Sequence, residues 1–224
     1  MNEQKTENKK LKTNFAFKST DKLKKLTIDF YERKNVVLIA RELLGKIIHT
    51  DIDGTITSGR IVETEAYAGI TDKASHAYGG KRTARNGHMY ANAGTAYVYI
   101  CYGIHQMFNV VTNEKEIPDA VLIRAVEPLE GIDSMLARTG KQKPDHTLSK
   151  GPGNVGKALG IYKIHSGINL LEDTIYISSD DYTINEKHIG ISKRIGVDYA
   201  GTDAILPYRF YVKGNKYVSG RPVI

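Results

Sequence analysis

The run Glu63-Thr64-Glu65-Ala66-Tyr67 sets two carboxylates and a phenol at alternate positions. Successive side chains of a β-strand point to opposite faces, so Glu63, Glu65 and Tyr67 share one surface while Val62, Thr64 and Ala66 share the other. Carboxylates placed this way suit general acid or base work, and the same pattern also describes a solvated sheet face. In Ala96-Tyr97-Val98-Tyr99-Ile100-Cys101-Tyr102-Gly103, Tyr97 and Tyr99 point one way and Tyr102 ends the run at a glycine turn. Hairpin tips ordinarily carry small polar residues, so a large aromatic there calls for something outside the fold to receive it. Arg124 sits inside Ala120-Val121-Leu122-Ile123-Arg124-Ala125-Val126, and a cation in an apolar strand needs either a buried ion-pair partner or a site to serve.

The elements that must position these groups follow from periodicity and turn chemistry. Asn35 is a fit N-cap for a helix carrying Val37, Leu38, Ala40, Leu43 and Leu44, which Gly45 ends. A hairpin follows, with strands at Ile47-Ile48 and from Arg60 to Tyr67 joined through Asp51, Asp53 and Gly54. Residues 69 to 94 lack an apolar period and read as a long functional loop. A second hairpin spans Ala96 to Thr112 with its tip near Tyr102, and Ala120 to Val126 forms another strand. A short helix is expected from Gly131 to Arg138. The loop Ser149-Lys150-Gly151-Pro152-Gly153-Asn154 leads into another at Val155 to Leu159, and strands are expected at Ile175 to Ser178, Ile189 to Val197 and Arg209 to Val212. The fold class expected is α+β, one domain over residues 21–224 built on a curved antiparallel sheet with surrounding helices and a protruding hairpin.

The 224 residues suffice for a core without metal or disulfide staples. Lys and Arg number 32 against 25 Asp and Glu, a formal charge of +7 that suits a polyanionic partner. Much of the excess lies in the first 25 residues, and residues 1–20 are read as a flexible Lys-rich tail. The lone cysteine, Cys101, has no partner for an intrachain disulfide, and no stretch reads as a signal peptide or membrane span. A cytoplasmic protein is expected, nucleoid-associated if bacterial, with no membrane partner.

The chain resembles the alkyladenine or 3-methyladenine DNA glycosylase family from roughly residue 27 to 220. The likeness is carried by Ala40-Arg41-Glu42-Leu43-Leu44-Gly45, Val62 to Tyr67, Ala74-Ser75-His76, Thr95 to Gly103 with Asn109, Arg124-Ala125-Val126-Glu127-Pro128, Gly151-Pro152-Gly153 and Arg194-Ile195-Gly196-Val197. The resemblance implies a monomeric base-excision repair enzyme that flips a damaged purine out of double-stranded DNA and hydrolyses its glycosidic bond. It implies Glu65 as general base and Arg124 beside the attacking water and the nucleotide's phosphate. Tyr67, His76 and Tyr99 would wall the base pocket, Tyr102 would intercalate, and Asn109 would clash with the amino group of normal guanine. No metal and no organic cofactor are implied.

Base stacking worth about 1–3 kcal/mol per aromatic is enough to offset extrusion, which costs a few kcal/mol. No lysine in the matched pocket blocks suggests a Schiff-base nucleophile, so monofunctional hydrolysis is expected. Lys81, Arg82, Arg85 and Lys150, the last with the Gly151-Pro152-Gly153 amides, are candidate phosphate contacts. Periodicity alone does not separate Glu65 from Glu63. Two rival readings stand beside this one: a metal-dependent hydrolase using Glu63, Asp72, His76 and His88, and a catalytically silent damage-binding protein.

Overall fold

The computed structural model describes residues 23–220; the Lys-rich segment 1–20 lies outside the described residues. The described chain begins with a two-residue strand β1 (Lys24–Lys25), a single helical turn α1 (Ile28–Tyr31) and helix α2 (Val36–Glu42). Strands β2 (Ile47–Ile52) and β3 (Thr55–Tyr67) form one hairpin, β4 (Ala96–Cys101) and β5 (His105–Thr112) a second, and β6 (Asp119–Glu130) follows. Helices α3 (Ile132–Thr139) and α4 (Pro152–Leu159) precede β7 (Ile175–Ser179), β8 (Ile189–Ser192) and β9 (Arg209–Val212). These strands join in one open antiparallel sheet, ordered β1-β7-β2-β3-β6-β5-β4, with β9 pairing both β3 and β8. The single α+β domain expected from the sequence is what the structure shows.

Helix α2 forms because Asn35 Oδ1 accepts the Leu38 amide at 3.0 Å, satisfying a first-turn donor, and because Val36, Ile39, Ala40 and Leu43 recur on one stripe. That stripe is buried against Ile61, Ala66, Val121, Ile123 and Val126 of the sheet, and helices α3 and α4 add Met135, Val155, Ala158 and Leu159 to the same core. Each fully buried Leu or Ile contributes about 1.5–3 kcal/mol relative to exposure. The core therefore takes one face of the sheet, and strand alternation sends the other residues to the opposite face. Tyr97, Tyr99, Asn109, Ala120, Leu122 and Arg124 are there, with Glu63, Glu65 and Tyr67.

Strand β3, 13 residues long, changes neighbour along its length. Thr55 to Arg60 pair with β2, Glu63 to Glu65 pair with β9, and β6 stays on the other edge. Of the three register shifts between β3 and β6, two mark the change. Ile61 faces Val126 and Glu63 faces Ala125, which leaves Val62 extra on β3; Glu63 faces Ala125 and Thr64 faces Ile123, which leaves Arg124 extra on β6. Bulges of this kind bend a strand and re-aim its side chains. The expected alternation consequently fails at Val62, which joins Ala125, Tyr211 and Val218 in a separate apolar cluster while Ile61 takes the core position.

Two further departures have local causes. Asp51 pairs with Ile56 inside the first hairpin, and the turn is confined to Asp53 and Gly54, both left-handed at φ 53° and 71°. The strand expected over Ile189 to Val197 ends at Ser192. Beyond it Arg194 is drawn into a buried ion pair with Asp72, and Gly196 turns the backbone to φ 78°. The long loop expected over residues 69–94 is an ordered wall with two short 3-10 turns, Tyr78–Gly80 and Gly87–Tyr90. Its Ala77, Met89 and Tyr90 pack with Tyr97, Val111 and Ala120 on the face opposite the main core.

Candidate active site

Glu63 and Glu65 are both completely buried, yet their surroundings differ. Glu63 Oε1 accepts from Arg124 Nε at 2.9 Å, Arg209 Nε at 2.8 Å and the Ser219 hydroxyl at 2.8 Å, and Oε2 accepts the Ser219 amide at 2.6 Å. A carboxylate offers about four acceptor positions, two on each oxygen, so three donors crowd Glu63 Oε1 while Oε2 keeps one position. Glu65 Oε1 accepts the Ile195 amide at 2.8 Å, and Oε2 accepts the Tyr67 hydroxyl at 2.9 Å and Arg124 Nη1 at 3.2 Å. Its fourth position is open among the described residues. Burial pushes the Glu65 carboxyl above its ordinary range, against the opposing pull of Arg124, the Ile195 amide and Tyr67. Burial disfavours the Arg124 cation, but the attraction of Glu65 and Glu63 outweighs it and holds the guanidinium charged.

In front of this layer lies a cavity of about 440 Å³, within the range of small-molecule sites. Tyr67, His76, Tyr99, Asn109 and Arg124 all line it, as do Leu122, Ile195 and Tyr199. Glu65 does not reach the cavity surface. It stands directly behind Tyr67, Arg124 and Ile195, and bonds to all three. The His76 ring meets Tyr99 edge-on at 4.5 Å between centroids, and its Nδ1 is 2.8 Å from the Tyr97 hydroxyl. Burial, helped by Arg85 and Lys81, lowers the His76 pKa to about 4, which leaves the ring neutral at neutral pH. Burial raises the phenols of Tyr67 and Tyr99 well above 10, so both stay protonated. Asn109 donates from its amide nitrogen to Tyr97 O and Met107 O at 3.1 Å each.

Tyr102 stands at the tip of the β4–β5 hairpin and is 89% exposed. The Ile104 amide closes the turn on Cys101 O at 3.2 Å, with Tyr102 at φ 50° and Gly103 at φ 75°. Two left-handed central residues define a type I′ turn, which right-handed strand twist favours. Gly103 adopts that geometry freely, whereas a bulky tyrosine there is strained, a condition typical of functional positions.

The candidate phosphate contacts are not gathered in one place. Arg85 lines the cavity, with its guanidinium 5.1 Å from the Tyr99 ring centroid. Arg82 is instead drawn to Glu116 at 2.5 Å and lies over Tyr90. Lys81 is exposed, Lys150 bridges to Ala125 through its backbone, and neither lines the cavity. The four residues of the metal-hydrolase reading are scattered among separate partners: Glu63 with two arginines, Asp72 with Arg194, His76 with Tyr97, and His88 with Ser166 at 2.9 Å. Among the described residues no three potential ligands converge.

Several participants escape the sequence reading. Arg209, 3% exposed in the strand Arg209-Phe210-Tyr211-Val212, is the same kind of oddity as Arg124 and could have been found by the same rule. The Ser219 and Ile195 amides act through the backbone and leave no compositional trace, although Ser219 adds its hydroxyl to Glu63 as well. The pair of Arg194 and Asp72 ties the cavity wall together. Arg194 also bonds Ala66 O at 2.9 Å and lies 4.8 Å from the Tyr67 ring centroid, and Asp72 accepts the Ala68 and Ala74 amides.

Comparison with known proteins bears on this arrangement directly. The family model for methylpurine-DNA glycosylase (MPG) matches residues 29–216. A protein of Clostridium perfringens strain 13 named "Putative 3-methyladenine DNA glycosylase" is 45% identical over 199 residues, covering 85% of this chain and 97% of its own length. Proteins of the same name from Desulfitobacterium hafniense and Chlamydia abortus are 44% and 46% identical over 205 and 184 residues. They cover 88% and 81% of this chain, and 99% and 94% of their own lengths. The chain therefore belongs to the methylpurine-DNA glycosylase family, and is a hydrolase of the N-glycosidic bond in DNA.

Proposed function

We propose that the enzyme extrudes a damaged purine from duplex DNA into the cavity walled by Tyr67, His76 and Tyr99. In this reading Tyr102 fills the gap in the helix, and Glu65 activates the water that cleaves the glycosidic bond. The observation that carries it is the contrast between the two buried carboxylates: all three donors to Glu65, from Tyr67, Ile195 and Arg124, belong to residues that line the cavity, whereas Glu63 is held by Arg209 and Ser219, which do not line it, as well as by Arg124. Arg124 lines the cavity and bonds both carboxylates, which suits it to steady that water and a nearby phosphate oxygen. An oxocarbenium-like sugar would develop positive charge beside the Glu65 carboxylate, which favours it electrostatically.

Aromatic stacking supports base capture, at about 1–3 kcal/mol per contact. A cation–π preference for alkylated, positively charged purines contributes less here, because Arg194 and Arg85 already lie over Tyr67 and Tyr99. Selectivity then falls to weakened pairing of the damaged base and to Asn109, which lines the cavity and would meet groups on the purine edge. The lesion range of the proposal is 3-methyladenine together with hypoxanthine and ethenoadenine. No lysine is among the residues lining the cavity, so a Schiff-base intermediate has no amine to form on and the enzyme acts as a monofunctional glycosylase. Arg85 at the cavity, and Lys81, Arg82 and Lys150 farther out, would contact phosphates.

The test is incubation with duplexes each carrying one of these lesions, in excess chelator, followed by alkali. The expected result is alkali-labile abasic sites in strands that stay intact until alkali is added. No abasic site on any lesion overturns the proposal, and strand cleavage without alkali overturns its monofunctional part.

A further inference from the structure

Tyr199 has no part in the reading given so far. It lines the cavity and is 71% exposed. Single exposed aromatics are common, but this one is tethered: its hydroxyl donates to Ala74 O at 3.1 Å, and Ala74 also lines the cavity. It stands at the crest of a short strap between Gly196 and Gly201. Gly196 has φ 78°, and Gly201 has φ 58° with ψ −124°, a backbone open to glycine alone. A β-carbon on either glycine would meet no atom within 4 Å, so it is the shape of the backbone, not close packing, that requires glycine there.

Both feet of the strap are fixed to the active-site layer. At one end the Ile195 amide bonds Glu65 Oε1. At the other, Asp203 accepts the Lys73 amide at 2.9 Å through its side chain and Arg194 Nη2 at 3.2 Å through its carbonyl. Val197 and Ala200 seal the underside against Ala74 and Tyr67. Tyr99, Cys101 and Tyr102 of the hairpin line the same cavity as Tyr199. A base held between Tyr67 and Tyr99 leaves its deoxyribose at the cavity mouth.

We propose that Tyr199 is a binding residue for the deoxyribose of the extruded nucleotide, its ring covering the sugar at the mouth of the cavity. The proposal rests on the base-extrusion reading above. A tyrosine held by its hydroxyl offers a large apolar face at low entropic cost, which suits a ring of C–H groups.

The test measures affinity in the non-hydrolysing Glu65→Gln background, with three duplexes: one carrying a lesion, one carrying a tetrahydrofuran abasic analogue, and one undamaged. Tyr199→Ala is expected to weaken binding to the first two by roughly ten-fold, equivalent to about 1.4 kcal/mol, and to leave the third unchanged. Tyr199→Phe keeps the ring and is expected to recover most of the loss. Equal weakening on all three duplexes makes Tyr199 a general surface contact and overturns the proposal. Loss on the lesion duplex alone makes it a base contact, and no loss on any duplex removes it; both overturn the sugar assignment. If the parent binds lesion and undamaged duplex equally, base extrusion itself fails and this proposal falls with it. Should the parent discriminate while Tyr199→Ala changes nothing, only the present inference fails.

Discussion

Glu63, Glu65, Arg124 and Arg209 carry charge at 6% exposure or less, where a sheet ordinarily buries aliphatic side chains, whereas Tyr102 and Ile104 expose 89% and 72% of apolar residues where a turn ordinarily presents polar ones. The two regions invert the usual partition in opposite senses, and their energetics differ accordingly. The buried layer balances two carboxylates against two guanidiniums and answers their charges with hydrogen bonds, so its chemistry is inseparable from its stability. The hairpin tip makes its turn through one backbone hydrogen bond and holds Tyr102 clear of the core, so its side chain can change without cost to the fold.

That contrast can be broken or sharpened by substitution. Glu65→Gln keeps the shape and the capacity to accept from Ile195 and removes the base; base release under single-turnover conditions is expected to fall about 10²–10⁴-fold. Retention of the wild-type rate would transfer the chemistry elsewhere. Arg209→Ala leaves Glu63 buried beside one guanidinium fewer, and urea denaturation should register a loss of about 3–5 kcal/mol. A loss below about 1 kcal/mol, the scale of an exposed pair, would mean that the layer is not bound together as described. Tyr102→Ala belongs to the other region: its unfolding midpoint should match wild type, while its affinity for damaged duplex falls by about 1–3 kcal/mol. A destabilised fold with undiminished affinity would reverse the assignment.

The smallest effect expected is on the acid limb of the pH profile. A general base works deprotonated, and burial raises the Glu65 pKa. Base release should therefore rise with pH through a midpoint above the ordinary glutamate value of about 4.3. A midpoint at or below that value, followed in kcat/KM, would contradict a buried base.

The sequence made much of this legible wherever a side chain breaks a periodic rule. Alternation puts Glu63, Glu65 and Tyr67 together, an isolated cation singles out Arg124, and an aromatic at a glycine turn marks Tyr102. The same rule applied to the last strand finds Arg209. What stays hidden depends on register and backbone. The bulges at Val62 and Arg124 come from how β3 changes neighbours between β2 and β9, which is a property of the whole sheet. The Ile195 and Ser219 amides that bond Glu65 and Glu63 come from segments more than a hundred residues away and carry no side-chain signature. Periodicity leaves the choice between the two carboxylates open, and the proposed assignment to Glu65 draws on these partners and on Arg209.

The most direct test of the account asks whether the two regions act on one nucleotide. A duplex with a lesion flanked by 2-aminopurine, whose fluorescence rises when it loses its stacking neighbour, is titrated with Glu65→Gln and with the Glu65→Gln, Tyr102→Ala double variant. The account predicts a fluorescence rise with the first that is absent on undamaged duplex and lost or sharply reduced with the second. No rise with the first, or an equal rise with both, would contradict it.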